Sequence, residues 1–322
     1  MSTEQTHRKF KVIGVPWHVG HQFEIANMSF IGQYDLLINP YRTWGTKSRP
    51  LPKNVNWVTH YEKNKYDFAI LHLDQQCVTN DIGKGELYRE VNSLITDIPK
   101  IVINHMVPLD DRLPEREVIS RVKDLVGDNF MICNSFEAQK MWGWGKTVIH
   151  GMNPEEWYSN EKEPRITTYV SPAGMEKAYR REILRNTISL LNEWGFKFFW
   201  IGIDVKFGSW KEYRDWLSRS LVYLNLTHQS PRPRSRTEAM LSGCCVVTNK
   251  HQDAESFIED GVNGFLVDED PLAVATLVSD LITNRCQEAK EVGERGRKFA
   301  KKEFSRKNFE KQWLEVIKEV LK

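Results

Sequence analysis

Arg234-Ser235-Arg236-Thr237-Glu238-Ala239-Met240-Leu241-Ser242-Gly243-Cys244-Cys245-Val246-Val247-Thr248-Asn249 is the stretch whose reading decides the fold. Thr237–Ser242 predicts the start of a short helix. Gly243 allows a tight turn, and Cys244–Asn249 reads as a buried strand. A helix beginning near Thr237 points unpaired backbone N–H groups, and a positive dipole end, at whatever precedes it. A pyrophosphate suits that position. One turn inside, the Glu238 carboxylate is able to accept hydrogen bonds from two neighbouring hydroxyls such as those of a ribose. Glu238 is equally able to act as a helix cap, and local chemistry alone leaves both readings open. Upstream, Arg232, Arg234 and Arg236 alternate along the chain. They suit either a diphosphate or a solvated basic loop, and their place at a helix start favours the diphosphate for at least one of them.

Outward from this unit the chain alternates between apolar runs and helical stretches. In the first half, strands are expected at Phe10–Val15, Asp35–Asn39, Asn56–His60, Phe68–Leu73, Lys100–Asn104 and Phe130–Cys133. Helices are expected at Gly85–Thr96 and Glu115–Val126. The pattern restarts with strands at Arg165–Val170, Phe196–Gly202, Leu221–Leu226, Cys244–Asn249 and Phe265–Val267. Helices are expected between them, at about Glu176–Glu193 and at Trp210–Ser218. In the last helix Phe309, Trp313, Ile317 and Val320 share one stripe. Such alternation predicts two doubly wound parallel sheets, which bind ligands outside the carboxyl ends of their strands. The polar, proline-bearing segment Gly151–Pro164 divides residues 1–152 from residues 153–303.

The chain has 322 residues, which suits two such domains. A formal net charge of +2 gives no overall field for nucleic acid or membrane. The five cysteines include no CxxC pair and are odd in number, which argues against a disulfide framework or metal site. The N-terminus lacks the apolar core of a signal peptide, and no run approaches the roughly 20 apolar residues of a membrane span. These features predict a cytoplasmic protein. The sequons at Asn27 and Asn225 are then chance matches.

The segment Arg236–Val267 resembles the donor-binding stretch of retaining glycosyltransferases of family four (glycosyl transferases group 1). That pattern reads loosely E-A-M-A-x-G-x-P-V-V-x-T followed by P-E-x-I-x-D-G-x-N-G-x-L-V. This chain answers with Glu238-Ala239-Met240-Leu241-Ser242-Gly243 and, later, Asp260-Gly261-Val262-Asn263-Gly264-Phe265-Leu266-Val267. The resemblance implies an α/β protein of the GT-B fold, two Rossmann-like domains facing across a cleft. The first domain would serve the acceptor, with the final helix, residues 304–322, packing back onto it. The second would bind the nucleotide sugar. The implied activity moves a hexose-type sugar from a UDP- or GDP-linked donor to a hydroxyl of a glycan, a lipid-linked acceptor or a small molecule. Configuration would be retained by same-face attack assisted by the departing phosphate.

The resemblance also implies site residues. Glu238 would contact the ribose, Lys177 the phosphates, and His105, at the tip of Lys100–Asn104, the transferred sugar. Gly20 would let the backbone approach the ligand, Gly202 would turn beside the base, and Arg232, Arg234, Arg236 and Thr237 would line the diphosphate. Two positions depart from the pattern. Ser230 stands where the family has its first glutamate, and Pro172 stands where it has a phosphate-binding arginine. No paired aspartates end a strand (Asp268 and Asp270 come late), so no metal cofactor is expected.

Three other readings compete. Arg42, Lys47, Arg49, Lys53, Lys63 and Lys65 interleave with Trp44 and Trp57, a composition that suits either a DNA acceptor with modified bases or a plain exposed loop. A sugar-nucleotide epimerase or a dehydrogenase would share the sheet type, but Gly14–Gly20 lacks the GxGxxG fingerprint of a dinucleotide site. The missing first glutamate also leaves room for a binding-only homologue.

Overall fold

The computed structural model describes residues 8–79, 83–110, 112–169, 181–228, 230 and 232–322. Two compact units emerge. The first comprises Met1–Asn134, Trp142–Ile149 and Arg306–Lys322, and the second Ser135–Met141 and His150–Ser305.

The first unit is built on seven parallel strands. They are β1 (Phe10–Gly14), β2 (Ile31–Leu37), β3 (Val55–Val58), β4 (Phe68–Leu73), β5 (Lys100–Asn104), β6 (Phe130–Cys133) and β7 (Lys146–Thr147), in the order β3-β2-β1-β4-β5-β6-β7. All of β4 is buried, as a central strand covered on both faces requires. The helices are α1 (Val19–Ala26), α2 (Gln75–Val78), α3 (Lys84–Leu94) and α4 (Glu115–Val126). Val118, Val122 and Val126 recur every four residues along α4 and are its buried face. The strand order reverses between β1 and β4, so the segments after these two strands flank the ligand crevice of this sheet type.

The second unit holds α5 (Phe136–Trp142, through Met141), β8 (Glu163–Tyr169), α6 (Arg181–Glu193), β9 (Phe198–Ile201), α7 (Trp210–Arg219), β10 (Ser220–Asn225), α8 (Arg234–Leu241), β11 (Cys245–Asn249), α9 (Ala254–Phe257), β12 (Phe265–Val267), α10 (Pro271–Ile282) and α11 (Cys286–Glu303). Its five parallel strands run β12-β11-β10-β8-β9, and the order reverses between β8 and β10. Ile166, Val222, Leu224, Val247, Val274 and Val278 are at the centre of its core.

The last helix, α12 (Arg306–Val320), belongs to the first unit. It buries Phe309, Trp313, Val316 and Ile317. Gln312 accepts a hydrogen bond from the Ile149 N–H at 2.8 Å, and Arg306 pairs with buried Glu24 at 3.1 Å. Among the described residues no helix is long and apolar enough to cross a membrane. Most strands differ from their sequence expectation by a residue or two. The larger shift is β2, which starts at Ile31 rather than Asp35, because Ile31 and Gln33 pair with Phe10 and Lys11 of β1, with Gly32 the extra residue where the register shifts.

Candidate functional site

In the second unit the site grows from the loop between β10 and α8. The helix opens at Arg234 with Pro233 as its N-cap, earlier than Thr237. Proline is well suited to a helix start because its fixed φ is near-helical and it has no N–H to leave unpaired. Glu238 therefore sits in the second turn rather than the first. Every residue of α8 from Ser235 to Leu241 is buried, including Arg236, Thr237 and Glu238. Buried polar groups must find partners. The Tyr213 hydroxyl, reaching from α7, donates to Glu238 Oε2 at 2.6 Å. Thr237 Oγ1 lies 3.0 Å from His150 Nε2, and Arg236 Nη1 donates to Thr248 Oγ1 at 3.3 Å. Burial and the Glu238 charge push the Tyr213 phenol well above its ordinary pKa, so it stays protonated and donates.

The far end of α8 is fixed by two devices. Gly243 has φ +73°, and a Cβ there would lie 2.5 Å from Ser159 Oγ, so only glycine makes this turn. Buried Lys162 donates to Ser242 O at 2.6 Å and Ser218 O at 2.8 Å, placing one cation on the carbonyl ends of both α8 and α7. Gly202, with φ +95°, turns the chain just after β9, and its N–H donates to Val205 O at 2.8 Å.

The three arginines divide. Arg234 Nη2 lies 4.0 Å from Glu238 Oε1, at the entrance of the helix. Arg236 is drawn into the interior. Arg232, expected at a diphosphate, is enclosed instead: Nη2 pairs with Asp253 Oδ2 at 2.7 Å, each side chain 1% exposed. Its guanidinium stacks 3.5 Å from the Phe257 ring centroid. Burial pulls its pKa down to about 9 against the pull of Asp253, so it remains a cation at neutral pH. Asp253 also accepts from the N–H groups of Phe136 and Glu137 at 2.8 and 2.9 Å, capping α5. A cation held this way ties the loop to the start of α5 through Nη2, while Nε and Nη1 have no hydrogen-bond partner among the described residues. Lys177, with Pro172, lies outside the described residues.

At the carboxyl end of β10 stands Asn225, fully buried, whose side-chain nitrogen and oxygen both have no hydrogen-bond partner among the described residues. Alternation along β10 puts Asn225 on the same face of the sheet as Tyr223 and opposite Leu224. Its burial also removes the sequon there from reach of glycosylation. Tyr169, at the carboxyl end of β8, is 38% exposed and lies 5.8 Å from the Tyr213 ring. Tyr213, Asn225, Asp253 and Tyr169 escaped the sequence reading as site residues. Tyr213 sits in the stripe Trp210, Tyr213, Trp216, Leu217, which reads as ordinary helix core.

In the first unit, four histidines gather where the segments after β1, β4 and β5 meet. His105 Nε2 lies 2.9 Å from His72 Nδ1, and His105 Nδ1 lies 3.1 Å from Asn134 Nδ2. With the Asn134 amide donating, His105 must donate in turn to His72. Both ring nitrogens of His105, expected on a sugar, are thus engaged inside the unit. Burial, together with the neighbouring His18, holds His72 and His105 well below the ordinary imidazole pKa, so both are neutral at pH 7. The outermost of the four is His18, 42% exposed, with its ring 4.1 Å from that of His105 and Nε2 at 3.6 Å from Asp74 Oδ2. Burial pushes the Asp74 carboxyl up, but His18 and the paired Lys84 more than offset this and hold it far below the usual range. Gly20 lies in the first turn of α1, between His18 and buried His21. Of the basic-aromatic segment 41–65, Trp44 and Arg49 are buried, and Trp44 Nε1 donates to Arg49 O at 2.9 Å. Tyr41 and Trp57 are exposed. No group of three or more histidine, cysteine, aspartate or glutamate side chains among the described residues is arranged to hold a metal ion.

Residues 180–315 match a family model described as glycosyl transferase-like. Among curated proteins, none matches the chain. Several solved structures share its architecture. HepE of Anabaena in complex with UDP-glucose aligns with TM-score 0.70 at 13% identity, covering 96% of this chain and all of that one. Sucrose-phosphate synthase of Thermosynechococcus elongatus aligns with TM-score 0.65 at 12% identity, over 96% and 98% of the two chains. A glycosyltransferase of Rickettsia africae aligns with TM-score 0.63 at 14% identity, over 98% and 99%. With two doubly wound parallel units and these structural likenesses, the chain has the GT-B fold, and its residues 180–315 are similar to the glycosyl transferase-like family.

Proposed function

We propose that the chain transfers a hexose-type sugar from a nucleoside diphosphate sugar, UDP- or GDP-linked, to a hydroxyl acceptor with retention at the anomeric carbon. The observation that carries this reading is Glu238, buried in a helix at the carboxyl ends of the sheet and held by a neutral phenol. A buried carboxylate near a helix start is the kind of acceptor that the hydroxyls of a ribose diol require. The HepE structures, complexes with UDP, with UDP and glucose, and with UDP-glucose, support the same choice of donor.

In this reading residues 153–303 bind the donor and residues 1–152 the acceptor. Arg234 and the N–H groups at the start of α8 meet the diphosphate, and cations with a helix dipole stabilise the charge that develops on the leaving group. Lys177 adds to them, and Gly202 and Gly20 allow close approach of backbone to ligand. His18, the exposed member of the histidine group, is better placed than His105 to meet an acceptor or its sugar. The acceptor is a glycan, a lipid-linked sugar or a small molecule, the site needs no metal, and the protein acts in the cytoplasm.

The test is a panel of UDP- and GDP-sugars with chelator present, reading nucleotide release and, by NMR, the anomeric configuration of the product. Saturable binding of UDP or GDP without turnover of any donor sinks the enzyme reading. An inverted product sinks retention. Glu238→Ala is expected to weaken nucleotide binding about 100-fold with the fold intact, the loss of two charge-assisted hydrogen bonds.

A further inference from the structure

We infer that the first unit takes a glycan acceptor by stacking one pyranose ring on Tyr41; the inference rests on the proposed reading of this unit as the acceptor side. Tyr41 is 49% exposed. A single exposed aromatic is ordinary in itself, but this one is held in place twice. Asn39, two residues past β2, accepts from the N–H groups of Tyr41 and Arg42 at 3.0 and 2.8 Å, which fixes the turn that carries the ring. The ring also packs on Gly83, the N-cap of α3. A Cβ at that position would lie 2.7 Å from Tyr41 Cδ1 and Cε1, and its φ is +71°, so only glycine makes this seat.

The seat belongs to the carboxyl end of the first sheet, where ligands of this sheet type bind. Lys84, next to Gly83, pairs with Asp74 at the end of β4 and lies 5.1 Å from the ring centroid of Trp17, which follows β1. Trp17 Nε1 donates to Asp74 Oδ2 at 3.0 Å. Lys84 and Asp74 neutralise each other. The same end of the sheet carries two polar atoms with no hydrogen-bond partner among the described residues: His18 Nε2, 3.6 Å from Asp74 Oδ2, and Gln75 Oε1. The first belongs to an imidazole able to donate or accept, and the second is an amide oxygen that only accepts.

A pyranose fits this combination. One face of the sugar presents C–H groups, whose slight positive charge meets the negative face of an aromatic ring. Its rim carries hydroxyls that both donate and accept. An acyl chain would cover the tyrosine but leave His18 and Gln75 unmet, and a phosphate would bring further acceptors to the Gln75 oxygen. Nucleobases also stack on exposed rings, but a strand of nucleic acid uses successive aromatics beside exposed cations. Close to Tyr41 in the chain, Trp44 and Arg49 are instead buried, and Trp44 Nε1 donates to Arg49 O.

The experiment is saturation-transfer NMR of the whole chain with UDP present. The probes are methyl α- and β-glycosides of glucose, galactose, mannose and N-acetylglucosamine, with glycerol and a short oligothymidine beside them. At least one glycoside is expected to bind saturably, with the strongest transfer to the C–H groups of one ring face, and glycerol is expected not to bind. Y41F and Y41W should keep that affinity within about twofold, whereas Y41A and Y41L should weaken it about three- to tenfold at an unchanged melting temperature, because the sugar needs a flat ring and not apolar bulk. G83A, which pushes the ring off its seat, should weaken binding to a similar degree, and Y41A/G83A should lose no more than Y41A alone. Absence of binding by every glycoside, a Y41L variant that binds as wild type does, or oligothymidine binding that is tighter than any glycoside and fades with salt overturns the inference. If a glycoside binds through Tyr41 and no UDP- or GDP-sugar is transferred to it, the proposed function fails and the platform stands. If sugar is transferred and Y41A leaves the acceptor KM unchanged, only the platform fails.

Discussion

Replacing Asp253 with alanine should damage the second unit more than any other single loss of charge in it. The magnitude follows from the contacts. Asp253 meets Arg232 at 2.7 Å with both side chains 1% exposed, and it accepts two N–H groups at the start of α5 at 2.8 and 2.9 Å. Removing one member of a buried pair costs about 3–5 kcal/mol, since the other charge stays buried and unpaired. The lost helix cap adds about 1 kcal/mol. A total of about 4–6 kcal/mol lowers the melting temperature of a domain of roughly 150–250 residues by about 8–24 °C. Arg232→Met should cost less, about 2–3 kcal/mol, because Asp253 keeps its two backbone donors and the methionine still packs on Phe257. The double replacement D253A/R232M should fall short of the sum by about 2–3 kcal/mol, the coupling of the pair. Differential scanning calorimetry checks this, following the transition that UDP shifts upward so that the second unit is read by itself. The reasoning is refuted if R232M melts within about 2 °C of wild type while its UDP affinity falls about 100-fold, for then Arg232 serves the diphosphate and not the loop.

The remaining predictions concern groups with equally plain surroundings. Asn225→Leu should raise the melting temperature, because it removes two unsatisfied buried polar atoms worth about 1–3 kcal/mol, and should weaken UDP binding; lower stability together with unchanged affinity overturns the role given to its amide. His72 and His105 have folded pKa values below the unfolded value near 6.5, so the unfolded chain binds more protons as pH falls. Stability of the first unit is then flat above about pH 7 and falls below about 6.5, by up to about 1.4 kcal/mol per pH unit for each histidine. Melting curves from pH 8 to 5 that show no loss contradict neutral burial, and His72→Phe should flatten the slope by about half. Burial pushes the Cys77 and Cys133 thiols up to about 12 and raises those of Cys244 and Cys245. Iodoacetamide at pH 7.5 should accordingly label half-exposed Cys286 alone in the native protein, and mass spectrometry finding Cys244 or Cys245 modified before Cys286 would count against the buried strand start.

The fold was legible because its signals are local. The apolar run Phe68–Leu73 is one buried central strand, and the valines of Glu115–Val126 fall on one helix face. Gly243 must adopt positive φ, and the sequence carries glycine there. The site was legible only where one residue type implies one chemistry. Glu238 was a candidate on that ground, but its hydrogen-bond partner Tyr213 was not. Tyr213 is distant in sequence, and its hydroxyl matters only once α7 and α8 lie side by side, whereas its ring is indistinguishable from core in a helical stripe. The arginines show the same limit from the other side. Alternate spacing made Arg232, Arg234 and Arg236 look equivalent, but spacing in a loop does not fix direction. The fold turns Arg232 toward Asp253, sends Arg236 to Thr248 and leaves Arg234 at the helix entrance. His105 meets a related limit. Its place at a strand tip was read correctly, yet a strand tip also adjoins its neighbours, and His72 and Asn134 on the flanking strand ends take both of its nitrogens. A polar residue in such a position serves a ligand only to the extent that the protein leaves one of its hydrogen-bonding groups unspent. By that criterion Asn225, which the sequence marked only as a chance sequon, has a stronger claim to the ligand than His105, and Arg232, with Nε and Nη1 unspent among the described residues, keeps one as well.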